Sequence, residues 1–464
     1  MLTLSPPPTM TERTQPQPPF PSVRPQLSQV IAALSYALDL TEGQPLGHSV
    51  NSCLIGMHIA KAMGLSERDQ TDLYFALLLK DTGCSSNASR MYEVFGGDEL
   101  KAKREVKLQD WTRVTLDGLK YLGRNMKPAS PAVARVMTIG QMALQREKLS
   151  REFTAIRCER GAQIALRLGF AARTAQAIRN LDEHWNGKGH PRGIKGEEIP
   201  VAARIMNIAQ TMEVFAALEG PARAMKVVKE RSGTWFEPNM AKVALTLEAD
   251  SALWKHLRDG SAFANVVALQ PGDRPVSESA LDTICEVFAG VIDAKSTFTN
   301  QHSTRVAKTA TAIAVKLGFD EKRVTRMRRA GLLHDVGKLS IPNSVVDKSG
   351  GLSPQDWEIV RLHPHFTELI LKNIPGFDEL AVIASNHHER QDGSGYHRGL
   401  RGEEISIDSR ALIVADQFDA LTSARAHRPA MSREKALALM AAEVPTKLDA
   451  ACFNALKSLP IARA

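Results

Sequence analysis

Leu332-Leu333-His334-Asp335-Val336-Gly337-Lys338 sets an imidazole beside a carboxylate on adjacent residues. Val324, Met327 and Gly331 precede the pair on one face of a helix, so His334 and Asp335 stand where that face ends. Neighbouring nitrogen and oxygen donors make a chelating pair for a divalent ion of intermediate hardness. Further donors follow at His363, His387, His388 and Asp416, with His302 upstream. Five histidines and two aspartates thus crowd residues 302–416 of a chain with 13 histidines in all. The mixture suits iron, manganese or zinc better than magnesium alone.

The rest of the composition bounds the class. At 464 residues the chain is too long for one ordinary core, and two domains are expected. A hydrophobic content of 43% with 24% charged residues is that of a soluble globular protein. Apolar runs such as Ala411 to Ala415 are far too short to cross a membrane. Met1 to Pro25 is rich in Pro, Thr and Gln, lacks the features of a secretion signal, and reads as a disordered tail. The cysteines (Cys53, Cys84, Cys158, Cys285, Cys452) form no CxxC pair, which points to reduced core thiols in a cytoplasmic protein. A net charge of +8 suits an anionic ligand. Without a Lys/Arg tract or interleaved aromatics, nucleic acid is a disfavoured partner.

The chain also repeats itself. At a shift of 254, His48-Ser49 falls on His302-Ser303, Gly64 on Gly318, and Lys80-Asp81-Thr82-Gly83 on His334-Asp335-Val336-Gly337. At a shift of 206, Gly187-Lys188-Gly189 falls on Gly393-Ser394-Gly395, and Arg192 to Ile199 on Arg398 to Ile405. So long a period means a duplicated domain and not a solenoid. Between these blocks a shift of 204, with a two-residue gap ahead of the glycine loop, sets Glu159, Glu183 and His184 against His363, His387 and His388. Lys80 then replaces His334 and Gln210 replaces Asp416, so the first copy is expected to have lost its metal site, with Lys80 paired to Asp81 and to Glu159 or Glu183. Helical periodicity follows His302 through Val306, Ala310, Ile313 and Leu317, with Gly318 as a stop. Helix formers dominate 276–295, 353–373, 377–388, 409–422 and 432–443, while Asp392–Gly402 and Asn343–Leu352 read as loops. The predicted fold is all-α: a tail over 1–25, a degenerate first domain over 26–265 and a second over 272–464.

The second copy resembles the HD-GYP family, a bacterial branch of the HD metal-dependent phosphohydrolases. The matching text runs from Thr299, His302-Ser303 and Arg305-Val306 through His334-Asp335-Val336-Gly337-Lys338, Ile341-Pro342, Trp357 and His363-Pro364. It continues in His387-His388-Glu389-Arg390, Asp392-Gly393, Gly395-Tyr396 and Ala415-Asp416 to Phe418-Asp419-Ala420-Leu421-Thr422-Ser423. About residues 275–440 are covered. The resemblance implies an enzyme: a phosphodiesterase that linearises a cyclic dinucleotide, cyclic di-GMP foremost, in second-messenger signalling. It implies two divalent ions, iron or manganese, bridged by Asp335. His302, His334 and Asp416 would hold one; His363, His387 and His388 would hold the other. Lys338 would stand beside the phosphate as a catalytic charge, and Arg425, Arg428, Gly395 and Tyr396 would contact the substrate. GGDEF-type or other signalling proteins are the implied partners, and the oligomeric state is left open.

The chain departs from the family's pattern in places. A glutamate that adds a third metal in some members is here Phe298, so two ions are expected. The signature loop reads Gly395-Tyr396-His397, with histidine in place of proline, and Arg425-Ala426-His427-Arg428 lacks the usual Pro and Tyr. Proline stiffens a loop, so these changes bear on substrate affinity more than on the metal site. They leave two alternatives: a weakly catalytic nucleotide sensor, or a phosphohydrolase for another phosphorylated metabolite. His397 and His427 read as loop residues, not ligands. Gly96-Gly97-Asp98-Glu99-Leu100 looks like a cyclase signature, but it lies inside a helical repeat and reads as coincidence.

Overall fold

A computed structural model of the chain describes residues 24–95, 98–108, 132–270, 272–296, 301–348, 350–424 and 428–460, with backbone alone at 93–95 and 132–146. Most of the expected tail, Gly96-Gly97, Phe298, Arg425 and His427 lie outside the described residues. Among the described residues there is no β-strand, only three isolated bridges, as the sequence predicts. Nor is any helix long and apolar enough to cross a membrane.

The first half runs through α1 (Leu27–Thr41), α2 (His48–Ala62), α3 (Glu67–Leu79), α4 (Ala88–Phe95), α5 (Glu99–Val106), α6 (Ala132–Arg167), α7 (Ala172–Arg179) and α8 (Val201–Glu219). Four short helices, α9 to α12, follow at Pro221–Arg231, Pro238–Thr246, Ser251–His256 and Ala262–Ala268. The second half repeats the order in α13 (Glu278–Asp293), α14 (His302–Lys316), α15 (Glu321–Leu333), α16 (Asn343–Val346), α17 (Pro354–Val360), α18 (His363–Leu371), α19 (Asp378–Ser385) and α20 (Ile407–Thr422). Two closing helices, α21 (Arg433–Ala441) and α22 (Ala450–Ser458), complete it.

Equivalent helices start and stop by the same local chemistry. Ser66 caps α3 through Asp69 N–H, and Asp320 caps α15 through Arg323 N–H. Gly64 (φ +71°) and Gly318 (φ +78°) end α2 and α14 in the left-handed conformation, as the sequence predicts for Gly318. The loops at Gly187 and Gly393 also match, with φ values of +78° and +77°. The stretch 353–373 is not one helix but two: Pro364 at the first turn of α18 restarts the chain and turns His363 inward. Helix α19 likewise ends at Ser385, so His387 and His388 sit in the turn beyond it.

The halves share one core. Buried residues of α1 (Val30, Ile31, Leu34), α13 (Leu281, Val287, Phe288) and the segments around Leu339 and Ile370 belong to one apolar cluster. Helix α1 packs on α2 and α3 and also on Val336–Ser340 and α18 of the other half. Pro25 and Leu27 are hydrogen-bonded to Val276 and Arg274. The equivalent residues Ser89 and Asn343 touch (Nδ2 to Oγ, 3.2 Å), and the packing of α1 on Val336–Ser340 is answered by that of α13 on Cys84–Asn87, a pseudo-two-fold pattern of contacts. All five cysteines are free and buried.

Candidate metal centre

Helices α14, α15, α18 and α20 converge, and each brings donors from an end or inner face. His302 opens α14, where Asp293 accepts bonds from the amide and hydroxyl of Ser303 and fixes the start of the helix. His334 and Asp335 leave the end of α15, which lies close against α14 because a Cβ on Gly331 would stand 2.6 Å from Ala307 Cα. His363 opens α18, and a Cβ on Gly337 would fall 2.0 Å from its carbonyl oxygen, so the two segments pack without a side chain between them. Asp416 comes from the middle of α20.

Asp335 divides the cluster. Its Oδ2 lies 3.3 Å from Nε2 of both His302 and His334. Its Oδ1 lies 3.6 Å from Nε2 of His363 and 3.4 Å from Nε2 of His387. Asp416 Oδ1 joins the first set, 3.3 Å from His302 Nε2 and 3.7 Å from His334 Nε2. His388 joins the second, with its ring 4.1 Å from that of His387 and 5.0 Å from that of His363. The structure therefore brings all seven candidate ligands together, in two groups on either side of one carboxylate.

Hydrogen bonds behind the rings set their orientation. His334, His363 and His387 turn Nδ1 to the carbonyl oxygens of Gly331 (2.8 Å), Val360 (2.6 Å) and Ala384 (2.6 Å). A carbonyl only accepts, so Nδ1 carries the hydrogen and Nε2 faces the cavity. His302 Nδ1 lies 2.7 Å from Asp419 Oδ2, and Arg305 grips Asp419 through Nε (2.6 Å) and Nη2 (3.1 Å). Asp419 was not singled out by sequence reasoning as a site residue. Its signal lay in the repeat, where Glu213 occupies the same place and pairs with His48.

Three observations test whether this set fits divalent ions. Nε2 of His302, Nε2 of His334 and Oδ1 of Asp335 are buried with no hydrogen-bond partner, a costly state for polar atoms without a cation. Burial holds His363 and His387 below the usual histidine range. Their Nε2 atoms nevertheless face each other at 3.0 Å, two acceptors with no hydrogen between them. The third is the donor set itself, imidazole and carboxylate in a closed pocket, which is that of transition-metal sites. The residues fit the ions.

Lys338 reaches the rim, its Nζ 2.6 Å from Asp335 Oδ2 and its side chain partly open to solvent. Tyr396 covers the other side, its ring 4.8 Å from His388 and facing Arg361. Gly395 has no room for a side chain, since a Cβ would stand 2.5 Å from Arg390 N and Glu389 Cα. Glu389 is fully buried and accepts the amides of His397 (3.2 Å), Arg398 (2.6 Å) and Leu400 (2.9 Å). His397 Nε2 lies 2.9 Å from Glu368 on α18, a side-chain tie where the family's loop has proline. Arg428 does not turn to the pocket: Nη1 and Nη2 cap the end of α20 through the carbonyls of Leu421 (3.0 Å) and Ala420 (2.7 Å).

The first copy corrects one expectation. Glu183 accepts the amides of Arg192 and Gly193, the role that Glu389 fills at a shift of 206, so no gap precedes the glycine loop. Gly83 packs on Arg157 O as Gly337 packs on His363 O. The counterparts of His363, His387 and His388 are therefore Arg157, Leu181 and Asp182. Glu159 lies outside, paired with Arg179. In the centre Lys80 pairs with Asp81, as expected, and Arg157 with Asp182. Glu42 joins Lys107 at 3.1 Å and Lys103 at 3.5 Å. Burial raises Glu42, but these two ammonium groups outweigh it and hold its pKa down at about 2. Cations of the chain fill the place where the second copy gathers histidines.

Comparison with known proteins agrees with this architecture. The HD domain family matches residues 137–240 and 286–452, one segment in each copy. A 3'3'-cGAMP-specific phosphodiesterase 3 of Vibrio cholerae is 39% identical over 433 residues, which span 93% of this chain and 94% of the relative. A cyclic di-GMP phosphodiesterase of Thermotoga maritima is 37% identical over 161 residues, 34% of this chain and 44% of the relative. The crystal structure of a cyclic GMP-AMP specific phosphodiesterase of V. cholerae superposes with a TM-score of 0.68 at 35% identity, covering 94% of this chain and 99% of that one. Built from two HD-type copies with the signature text confined to the second, the chain belongs to the HD domain family, in its HD-GYP branch of cyclic dinucleotide phosphodiesterases.

Proposed function

We propose that this chain hydrolyses a phosphodiester bond of 3'3'-cGAMP to give a linear dinucleotide, using two divalent ions, iron or manganese, held by the second copy. The preference for cGAMP over cyclic di-GMP revises the reading from motifs, because the relative matched along 93% of this chain carries the cGAMP name. The observation that carries the hydrolytic reading is Asp335, whose two oxygens face separate donor sets. His302, His334 and Asp416 would hold one ion and His363, His387 and His388 the other. The division into a degenerate domain over 26–265 and a catalytic domain over 272–464 belongs to the same proposal, supported by the repeated element order.

A phosphodiester is a poor electrophile because its oxygens are already anionic. When bound, divalent ions supply a hydroxide at neutral pH and draw charge from the phosphate. The chain's own residues do the rest. Asp419 holds His302, and backbone carbonyls hold His334, His363 and His387, so the pocket needs little reorganisation to receive its ligands. Lys338 presents an ammonium beside the shared carboxylate, where it stabilises negative charge growing on the phosphate oxygens. Tyr396 and Arg361 offer a flat apolar face and a cation at the mouth, suited to a base and its phosphate. Arg425 retains its assignment to the substrate, whereas Arg428 supports the segment from behind as a cap of α20.

Purified protein loaded with manganese or ferrous iron should convert 3'3'-cGAMP to a linear product, and cyclic di-GMP more slowly, as read by chromatography. Folded, metal-loaded protein that turns over neither would overturn the reading. Tight binding of either without turnover would instead favour the sensor. Faster release of phosphate from another metabolite would favour the broader phosphohydrolase.

A further inference from the structure

Glu99, in the stretch that looks like a cyclase signature, is fully buried on α5 of the first copy. Asp98 caps α5 through the amides of Leu100 and Lys101, so the helix starts at Glu99 and turns its carboxylate away from solvent. The start of α5 is wedged against the turn after α1, where a Cβ on Gly43 would stand 2.3 Å from Leu100 O. The Glu99 carboxylate enters the other half of the molecule. Both oxygens accept the Asn343 amide at 2.9 Å, and Oε1 lies 3.6 Å from Lys295 Nζ. Lys295 Nζ in turn donates to Leu339 O at 3.0 Å. One carboxylate from the degenerate copy thereby holds both ends of the segment 339–343, directly after Lys338.

The donors of the arrangement are satisfied, although Asn343 Oδ1 is buried without a partner. Asn343 Nδ2 donates to Lys295 O (2.7 Å), Asp347 Oδ2 (2.7 Å) and Ser89 Oγ (3.2 Å). Ser89 Oγ also donates to Lys295 O (3.1 Å). Burial lowers the Lys295 pKa to about 8, and Glu99 is the main group opposing that. Without Glu99, the buried Lys295 ammonium would keep Leu339 O but lose its counter-charge, and the buried Asn343 amide would lose its acceptor, so the segment could relax only by moving. The backbone that would move carries Lys338 and begins at Asp335.

We propose that Glu99 is a positioning residue for the catalytic segment 335–343, so that the degenerate copy contributes to the reaction across the pseudo-two-fold interface. The proposal rests on the second copy being the phosphodiesterase. It assigns Glu99 no contact with substrate: it acts through Lys295 and Asn343 on the placement of Lys338.

The test compares full-length Glu99→Ala, Glu99→Gln and Lys103→Met proteins. Lys103 lies on the same helix and is also buried, but its partners lie within its own half: it donates to Thr41 O and Cys84 O and pairs with Glu42. Glu99→Ala should lower kcat by about 10- to 100-fold, the scale of a small displacement at a reacting centre. KM and metal content should stay at wild-type values. Amide exchange over 336–347 should accelerate, while that over 380–390 stays as it is. Glu99→Gln keeps one acceptor for Asn343 and should fall between. Lys103→Met should lower the melting temperature and leave kcat unchanged. A Glu99→Ala protein with wild-type kcat and exchange, or a Lys103→Met protein with the same loss of kcat, would overturn the assignment. If the wild type turns over no cyclic dinucleotide, the proposed function fails first. The exchange comparison then decides alone, and unchanged protection over 336–347 refutes the role of Glu99.

Discussion

Asp335 and Lys338 lie one helical turn apart and touch, yet they carry separable tasks. Asp335 serves both donor sets, so Asp335→Ala should abolish metal binding and turnover together, as read by metal analysis and product assay. Lys338 touches Asp335 through Oδ2 alone and reaches it from the solvent side of the site, so Lys338→Ala should retain the metals and lose turnover by about 10²- to 10³-fold. Protons report on the same pocket. Burial opposes charging of His302 and His334, but Asp335, Asp416 and, for His302, Asp419 outweigh it and raise their pKa values to about 10 and about 9. Both rings are therefore protonated at neutral pH until a metal replaces the proton. Loading at pH 7 should release protons, and affinity should rise with pH up to about 10. Titration calorimetry in buffers of different ionisation enthalpy would measure the release, and an unchanged heat would contradict it. At this scale the sequence was highly legible, because histidine and aspartate are rare enough for their spacing to carry the site. What it concealed were residues of ordinary type: Asp419 behind His302, Glu389 beneath the loop, and Arg157 in the place of a histidine.

Between residue and fold stand the elements that aim the ligands, and glycine decides two of them. In the signature loop a Cβ on Gly395 would meet backbone atoms of Glu389 and Arg390 at 2.5 Å. Gly395→Ala should cost about 1–3 kcal/mol through forced displacement of the loop. Gly290, in the interior of α13, has nothing within 4 Å of its missing Cβ. Gly290→Ala should instead stabilise by about 0.5–1 kcal/mol, since it removes only unfolded-state freedom. Denaturant unfolding of the two proteins checks the opposite signs. The helices themselves were readable from periodicity and caps, but their ends were less so. The run 353–373 broke in two because Pro364 begins a new helix. The two-residue gap was an error of the same kind, placed by matching His184 to His388. Asn180 and Glu183 align with Asn386 and Glu389 without a gap, and the matching loop hydrogen bonds settle it.

For the whole molecule, duplication gives two equivalent centres of opposite content. The second gathers unpartnered donors; the first is closed by Lys80 with Asp81, Arg157 with Asp182, and Lys103 and Lys107 with Glu42. Metal analysis should accordingly find two ions per chain and not four. Chelation should remove both ions while the first pocket keeps its ion pairs. Lys80 is the test of this asymmetry. It is fully enclosed, and Lys80→Ala would leave Asp81 buried with one cation fewer, a loss of the order of 3 kcal/mol. The protein should melt at a lower temperature, yet still bind two ions and turn over substrate at its usual rate below that temperature. Lys80→His should restore no metal, because Arg157, Leu181 and Gln210 still stand where His363, His387 and Asp416 would be needed. A third ion in Lys80→His, or lost turnover in folded Lys80→Ala, would mean that the first pocket shares in the chemistry and is not merely its braced counterpart.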